Sequence, residues 1–383
     1  MNGTEAQRLP GSYLLWLIIS LIVLAIGGIT GLYSWFIPGL HHISRDIVTG
    51  VLLASYTYFV GITTGLCVIA ALGHLFGFDV YEAATSRAAW LAIVSMLAGF
   101  FAIAFDLGHT FKAYLFVTSP NFSAPILMMA WLYAFYLIFA IVEFILLMSK
   151  KYGIAIVFGA VALILDVIAR SNVGYIFGST IARPFWFGAF PSFFFLALSM
   201  TSGMALFILC TVWVSKLRGV NNPKLLESAV KLQTIFLLVV ALFYIWYIMS
   251  GKFGFAPGKY EATKALTAGP LSVNFYLFEI ICGIIIPFIL LAASKGKSAV
   301  VAFVASILVL IGTFSSHYDF CIAGQIVPVW QAFAVRPEYA PMYAQYHPSG
   351  VEILTVMGAF GLLFFLFFLG EGIFKFRING KAE

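Results

Sequence analysis

In the stretch LILDVIARSN, residues 163 to 172, an acid and a base, Asp166 and Arg170, stand four apart among apolar residues, with Asn172 just beyond. Residues four apart share one face of a helix, so these two can pair. A pair costs less to bury than a lone charge, yet it is seldom kept in an apolar medium for stability alone. Two readings stay open: an ion pair that glues helices, or the border of a polar pocket for a ligand that gains or loses protons. Asp106 and His109, His317 to Asp319, His347 and Glu352, and the group His41, His42, Arg45 and Asp46 lie at the ends of other apolar runs. Glu143 and Glu279 lie inside such runs, where a lone carboxyl is protonated or hydrogen-bonded and serves as a proton relay or as helix glue.

These residues belong to a chain of 383 residues that is 62% hydrophobic, 17% aromatic and only 9% charged. A soluble domain of this length needs a charged shell that this composition does not supply. Apolar runs of about 18 residues or more recur, each long enough for a bilayer core of roughly 30 Å. The expected fold is an all-α polytopic membrane protein with ten spans: 12–34, 48–76, 88–110, 123–149, 152–177, 187–216, 227–250, 267–294, 298–319 and 350–375. The first run is long enough to stay as an anchor and lacks the form of a short cleaved signal. Connections are short except at 251–266 and 320–349; the second, rich in Pro, Tyr and Gln, is expected to fold over one face.

At alternate ends of the spans, twelve Lys and Arg fall on one side and seven on the other. The positive-inside rule then places both termini in the cytoplasm, in a multi-pass protein of the cell membrane. Nearly every polar group in or near the spans gathers at the non-cytoplasmic end. The net charge of +6 is loop charge facing lipid headgroups, and no basic, aromatic-interleaved cluster suggests nucleic acid. Cys67, Cys210, Cys282 and Cys321 form no CxxC pair and are expected to be small buried hydrophobes, so the chain holds no iron–sulfur or zinc site of its own. No repeated His pairs at matching depth support a dihaem cytochrome, and no haem is expected. The GITTG of residues 61–65 is a close-packing motif.

Several segments together resemble the NrfD/PsrC family of quinone-reactive membrane subunits, closest to its ten-span branch of HybB-like and DsrP-like proteins. SYTYFVGITTGLCVIAALGHLFG resembles the first core helix of the family, and AIAFDLGHTFKAYLF its DLG segment, with Asp106 and Gly108 matching. ARPFWFGAFPSFFFLALSMTSGMAL resembles the Arg-Pro-x-Trp segment, with Arg183, Pro184 and Trp186. FEIICGIIIPFILL resembles the Glu…Gly…Pro helix through Glu279, Gly283 and Pro287; IGTFSSHYDFCIAGQ and YHPSGVEILTVMGAFG resemble the last two segments, the latter through Pro348, Ser349 and Glu352. Six segments in one order cover residues 48 to 370. Two positions depart: His109 and His317 stand where the family usually carries Arg.

The resemblance implies a subunit without a redox centre of its own. It would bind menaquinone or another quinone near the outer face and exchange electrons with an iron–sulfur, ferredoxin-like partner docked there, within a larger membrane complex and in respiration of sulfur compounds. Residues 48–178 and 187–320 would form two four-helix bundles, with 12–34 and 350–375 at the periphery. The quinone pocket would lie in the first bundle, with His42, Arg45 and Asp46 at its mouth, then Asp106 and His109, with Asp166 and Arg170 supporting and Tyr133 as hydrogen-bond donor. Glu143 and Glu279 would serve proton movement. A proton-coupled transporter, with helices broken at points such as Gly283 and Pro287, and a b-type cytochrome are the alternatives.

Overall fold

The computed structural model describes residues 11–37, 39–41, 43–107, 110–254, 258–329 and 343–376. Among these residues the secondary structure is helical, with no strand. Ten helices are long and apolar enough to cross a membrane. They are α1 (Gly11–Phe36), α2 (Val51–His74), α3 (Thr85–Asp106), α4 (Pro125–Met148), α5 (Tyr152–Gly178), α6 (Phe190–Arg218), α7 (Pro223–Phe253), α8 (Asn274–Ser294), α9 (Ala299–Ile326) and α10 (Gly350–Phe374). The chain is an all-α polytopic membrane protein. Large apolar side chains such as Ile29, Ile138, Val157 and Trp246 point outward and are more than half exposed, a surface suited to lipid.

Local sequence explains the helix starts. Proline stands in the first turn of α4, α6 and α7, where its missing N–H is an orphan in any case. Asn222 and Ser298 cap α7 and α9 through their side-chain oxygens. Ser349 and Glu352 form a reciprocal capping box at α10.

Two boundaries differ from expectation. A separate short helix, Lys259–Ala268, precedes α8, which starts only at Asn274. The ninth span does not close at 319; α9 runs on to Ile326. His317 and Asp319 therefore lie two turns inside a helix, because partners on α5 and α8 satisfy side chains that, in sequence alone, look like a helix end. The helix break at Gly283 and Pro287 that a transporter would use is absent. Residues Asn274–Ile285 are π-helical and pass directly into Ile286–Ser294. Pro287 cannot donate to the carbonyl four residues back, and the wider π turns just before it absorb that mismatch.

Helix α2 is the most enclosed of the ten and packs against α3, α5, α6, α9 and α10. Gly65 is what lets it cross α6 at backbone contact: a Cβ there would come within 2.8 Å of the Gly203 Cα. The end of the bundle at which α2, α4, α6, α8 and α10 begin is called the upper end below, and the opposite end the lower.

Candidate functional site

Arg170 is fully buried on α5 and fastens four helices. Its Nη1 donates to the Thr57 carbonyl on α2 at 2.7 Å, and its Nε donates to Ser199 Oγ on α6 at 2.8 Å and to the Phe195 carbonyl at 3.3 Å. Its Nη2 lies 2.8 Å from His317 Nε2 on α9, and the guanidinium carbon stands 4.7 Å from the Phe195 ring centre. His317 Nδ1 faces the Thr313 carbonyl at 2.7 Å, so the ring hydrogen sits on Nδ1 and the Nε2 lone pair accepts from Arg170. Gly61 makes room for this guanidinium: a Cβ there would stand 2.7 Å from Nη2. The GITTG motif is thus packing at Gly65 and site-building at Gly61.

Asp166 does not pair with Arg170. Both of its carboxylate oxygens are buried without a hydrogen-bond partner, and it sits beside Thr64 and Cys67, one turn further down. The four-residue spacing puts both on one helical face, but the long guanidinium reaches instead to the Thr57 and Phe195 carbonyls, to Ser199 and to His317. Tyr133 on α4 is also buried, with its hydroxyl unpartnered, in the surroundings of Tyr56, Arg170 and Asp166. Below Asp166, Cys67 Sγ lies 3.2 Å from the Tyr136 hydroxyl, and lower still His74 Nε2 lies 3.0 Å from Glu143 Oε1. Glu143 is therefore paired. A cavity of about 440 Å³ at the lower end is lined by His74 and opens toward the surface. From Thr57 to His74 this polar column follows α2 for roughly 25 Å at 1.5 Å per residue.

At the upper end, His41 Nδ1 stands 3.8 Å from Glu352 Oε1, an ion pair rather than a hydrogen bond, and its pKa is held above the ordinary value by that carboxylate. Glu352 also accepts from the Tyr346 hydroxyl at 3.0 Å, and that hydroxyl accepts from the Val51 N–H at 2.8 Å. Asp106 lies near the same His41–Glu352 pair. Val51 and Thr57 are about 9 Å apart along α2, so this group sits above the Arg170 hub. Arg183 donates to the carbonyls of Asp46, Gln325 and Val327, tying the entry of α2 to the exit of α9, and burial lowers its pKa. Pro184 follows it in the tight turn closed by the Trp186 N–H to the Arg183 carbonyl, and Trp186 Nε1 donates to Phe320 O at 2.8 Å. Arg45 is exposed and Asp46 contributes a backbone carbonyl to the clamp. His42 and His109 lie outside the described residues.

Glu279 stands apart from these groups, on the π-helical part of α8. It accepts from Tyr244 on α7, which also contacts Ser316, and lies beside Asp319, itself held by Asn274 at 2.7 Å. It is therefore not a lone carboxyl. One buried cluster has no counterpart in the sequence reading. Arg87, which the expected span 88–110 leaves outside the membrane, is 1% exposed and bonds Glu371 at 2.5 Å, while Arg218 meets the other Glu371 oxygen at 2.7 Å. Polar groups thus gather at both ends. The signal lay in Glu371, an acid within the last apolar run, which calls for a cation partner.

The polar column on α2 was also partly legible. Thr57, Thr64, Cys67 and His74 recur at intervals of seven, three and seven, which place them on one helix face. Tyr136 carries no comparable mark. Along almost the whole chain the protein is similar to the Hdr-like menaquinol oxidoreductase integral membrane subunit of Archaeoglobus fulgidus, at 24% identity over 395 aligned positions covering 97% of this chain and 96% of that protein. It is also similar to a selenate reductase subunit of Mesobacillus selenatarsenatis, at 21% identity over 90% of each chain. The family model described as "Polysulphide reductase, NrfD" matches residues 40–329, which span the Arg170 hub, the polar column and the Glu279 cluster, and the chain belongs to that NrfD family.

Proposed function

We propose that this chain is the quinone-binding membrane subunit of a respiratory oxidoreductase complex, with its pocket between α2, α4 and α5. The observation that carries this reading is a buried Tyr133 hydroxyl without a partner close to the fully buried Asp166 carboxylate, whose oxygens lack a hydrogen bond of normal geometry, with the Arg170 charge nearby. Native interiors rarely leave such groups unsatisfied, and a ligand with polar oxygens on an apolar ring satisfies them. The relative named as a menaquinol oxidoreductase subunit supports menaquinone or menaquinol as that ligand.

A quinol supplies two electrons and two protons. Tyr133 orients one of its oxygens by donating a hydrogen bond. Asp166 takes up or returns a proton, and Thr64, Cys67, Tyr136, Glu143 and His74 conduct it toward the lower end, with water completing the gaps. Arg170 and His317 fix the upper wall. Glu279 and Asp319 form a second proton-holding group outside this pocket. The Lys/Arg asymmetry supports an outward-facing upper end, with His41, Asp46, Asp106 and Glu352 near the mouth and both termini cytoplasmic. An iron–sulfur, ferredoxin-like protein docks at that face, since electron transfer demands a short distance. The two four-helix bundles, residues 48–178 and 187–320, divide quinone binding from the second group, and sulfur-compound respiration is the setting.

The test is purification of the complex from native membranes, extraction of quinone, and an EPR scan for iron–sulfur signals. Menaquinone and partner-borne clusters in stoichiometric amount are expected. A chain isolated alone with neither would overturn the reading.

A further inference from the structure

At the lower end a cavity of about 950 Å³ opens between α1, α6, the first turns of α7 and α9, and the α8–α9 connection. Its inner wall is apolar and aromatic, with Trp16, Val212, Trp213, Val300 and Phe303; Trp16 and Trp213 meet edge to face at 4.8 Å. Its rim is cationic. Lys216 and Lys297 are both exposed there, and neither takes part in an ion pair among the described residues. Helices α7 and α9, of 31 and 28 residues, both begin at the rim, which places the positive end of each helix dipole there. Against these stands one carboxylate, Glu227, whose backbone is packed on Gly296.

A separate observation points to an occupant. Thr211 lines the cavity from α6, is only 7% exposed, and its hydroxyl has no hydrogen-bond partner. A threonine within a helix ordinarily satisfies itself on the carbonyl one turn back. Many others here do so, among them Thr63, Thr201, Thr234 and Thr355.

We propose that this cavity binds an anionic phospholipid. Its phosphate lies between Lys216, Lys297 and the two helix N-termini, its ester region meets Thr211, and an acyl chain runs along Trp16, Trp213 and Phe303. A free phosphate makes no use of the aromatic wall, and a neutral ring makes no use of two unpaired cations. The site lies at the helix ends richest in Lys and Arg, where lipid headgroups gather. It is independent of the quinone pocket.

The test uses the whole complex in nanodiscs of phosphatidylglycerol mixed with phosphatidylcholine, with retained lipid counted by native mass spectrometry after detergent release. One phosphatidylglycerol per chain is expected to be retained in preference to phosphatidylcholine. Lys216→Gln and Lys297→Gln should each lower that preference about fivefold. Thr211→Val, which strands no partner, should weaken retention at unchanged yield of complex. Equal retention of the two lipids, or retention indifferent to both lysine variants, overturns the proposal. So does recovery of inorganic phosphate alone.

Discussion

At the level of single residues, Arg170 and Asp166 have different duties although four positions separate them. Arg170 is satisfied by main-chain carbonyls of α2 and α6, by Ser199 and by His317. Removing it deprives the buried His317 Nε2 of its donor and takes away four further hydrogen bonds across α2 and α6, which costs about 3 kcal/mol. Arg170→Met is therefore expected to lower the yield of assembled complex. Asp166 is in no ion pair and Asn keeps an acceptor beside Thr64 and Cys67, so Asp166→Asn should assemble normally and reduce menaquinol-linked turnover about a hundredfold, the scale for loss of a proton-transfer group. Yield by size-exclusion chromatography and turnover by quinol absorbance separate the two. Tyr133→Phe is a sharper case. It deletes a buried hydroxyl with no partner and should raise thermal stability by about 1 kcal/mol while weakening quinone binding. A Phe variant that lost stability would mean the hydroxyl is bonded within the protein.

At the level of elements, the upper ends of α2 and α10 are held by one carboxylate, since Glu352 caps its own helix, accepts from Tyr346 and faces His41. The His41 pKa is raised above 6.5 in the folded protein, with Glu352 the main cause. Its contribution to stability is thus full below about pH 6.5 and is lost as pH rises through the higher folded value. Wild type should exceed His41→Gln in stability at pH 6, by no more than about 1 kcal/mol for a partly exposed pair and seen as a higher melting temperature, and match it at pH 9. Element identity was legible in the sequence because apolar runs of membrane length leave few alternatives. The end of α9 was not, because polar residues satisfied by neighbouring helices look the same, in sequence, as residues satisfied by water. The pairing of Asp166 with Arg170 failed for a related reason: spacing gives a shared face, but not which acceptors a long side chain will reach. The π-helical part of α8 carried only an indirect sign in Pro287.

At the level of the whole molecule, the Arg87–Glu371–Arg218 cluster joins α3, α6 and α10 at the lower end, so some cations there are structural rather than topological signals. Glu371→Gln strands a fully buried arginine and should cost several kcal/mol, seen as loss of complex from membranes. Discounting Arg87 and Arg218 on one side and the also buried Arg183 on the other leaves the asymmetry with its sign unchanged, so the lower end is expected to face the cytoplasm. That orientation decides on which side the proposed quinone mouth and docking face lie. Asn121, in the loop before α4, and Lys151, in the loop after it, are both exposed and at opposite ends. Of the native cysteines, Cys67, Cys210 and Cys321 are buried and Cys282 is partly covered on α8, so a membrane-impermeant maleimide reads only introduced thiols. In intact cells Asn121→Cys should label and Lys151→Cys should label only after permeabilisation. The reverse pattern would put the Glu352 and Arg170 end inside, and the docking face of any iron–sulfur partner with it.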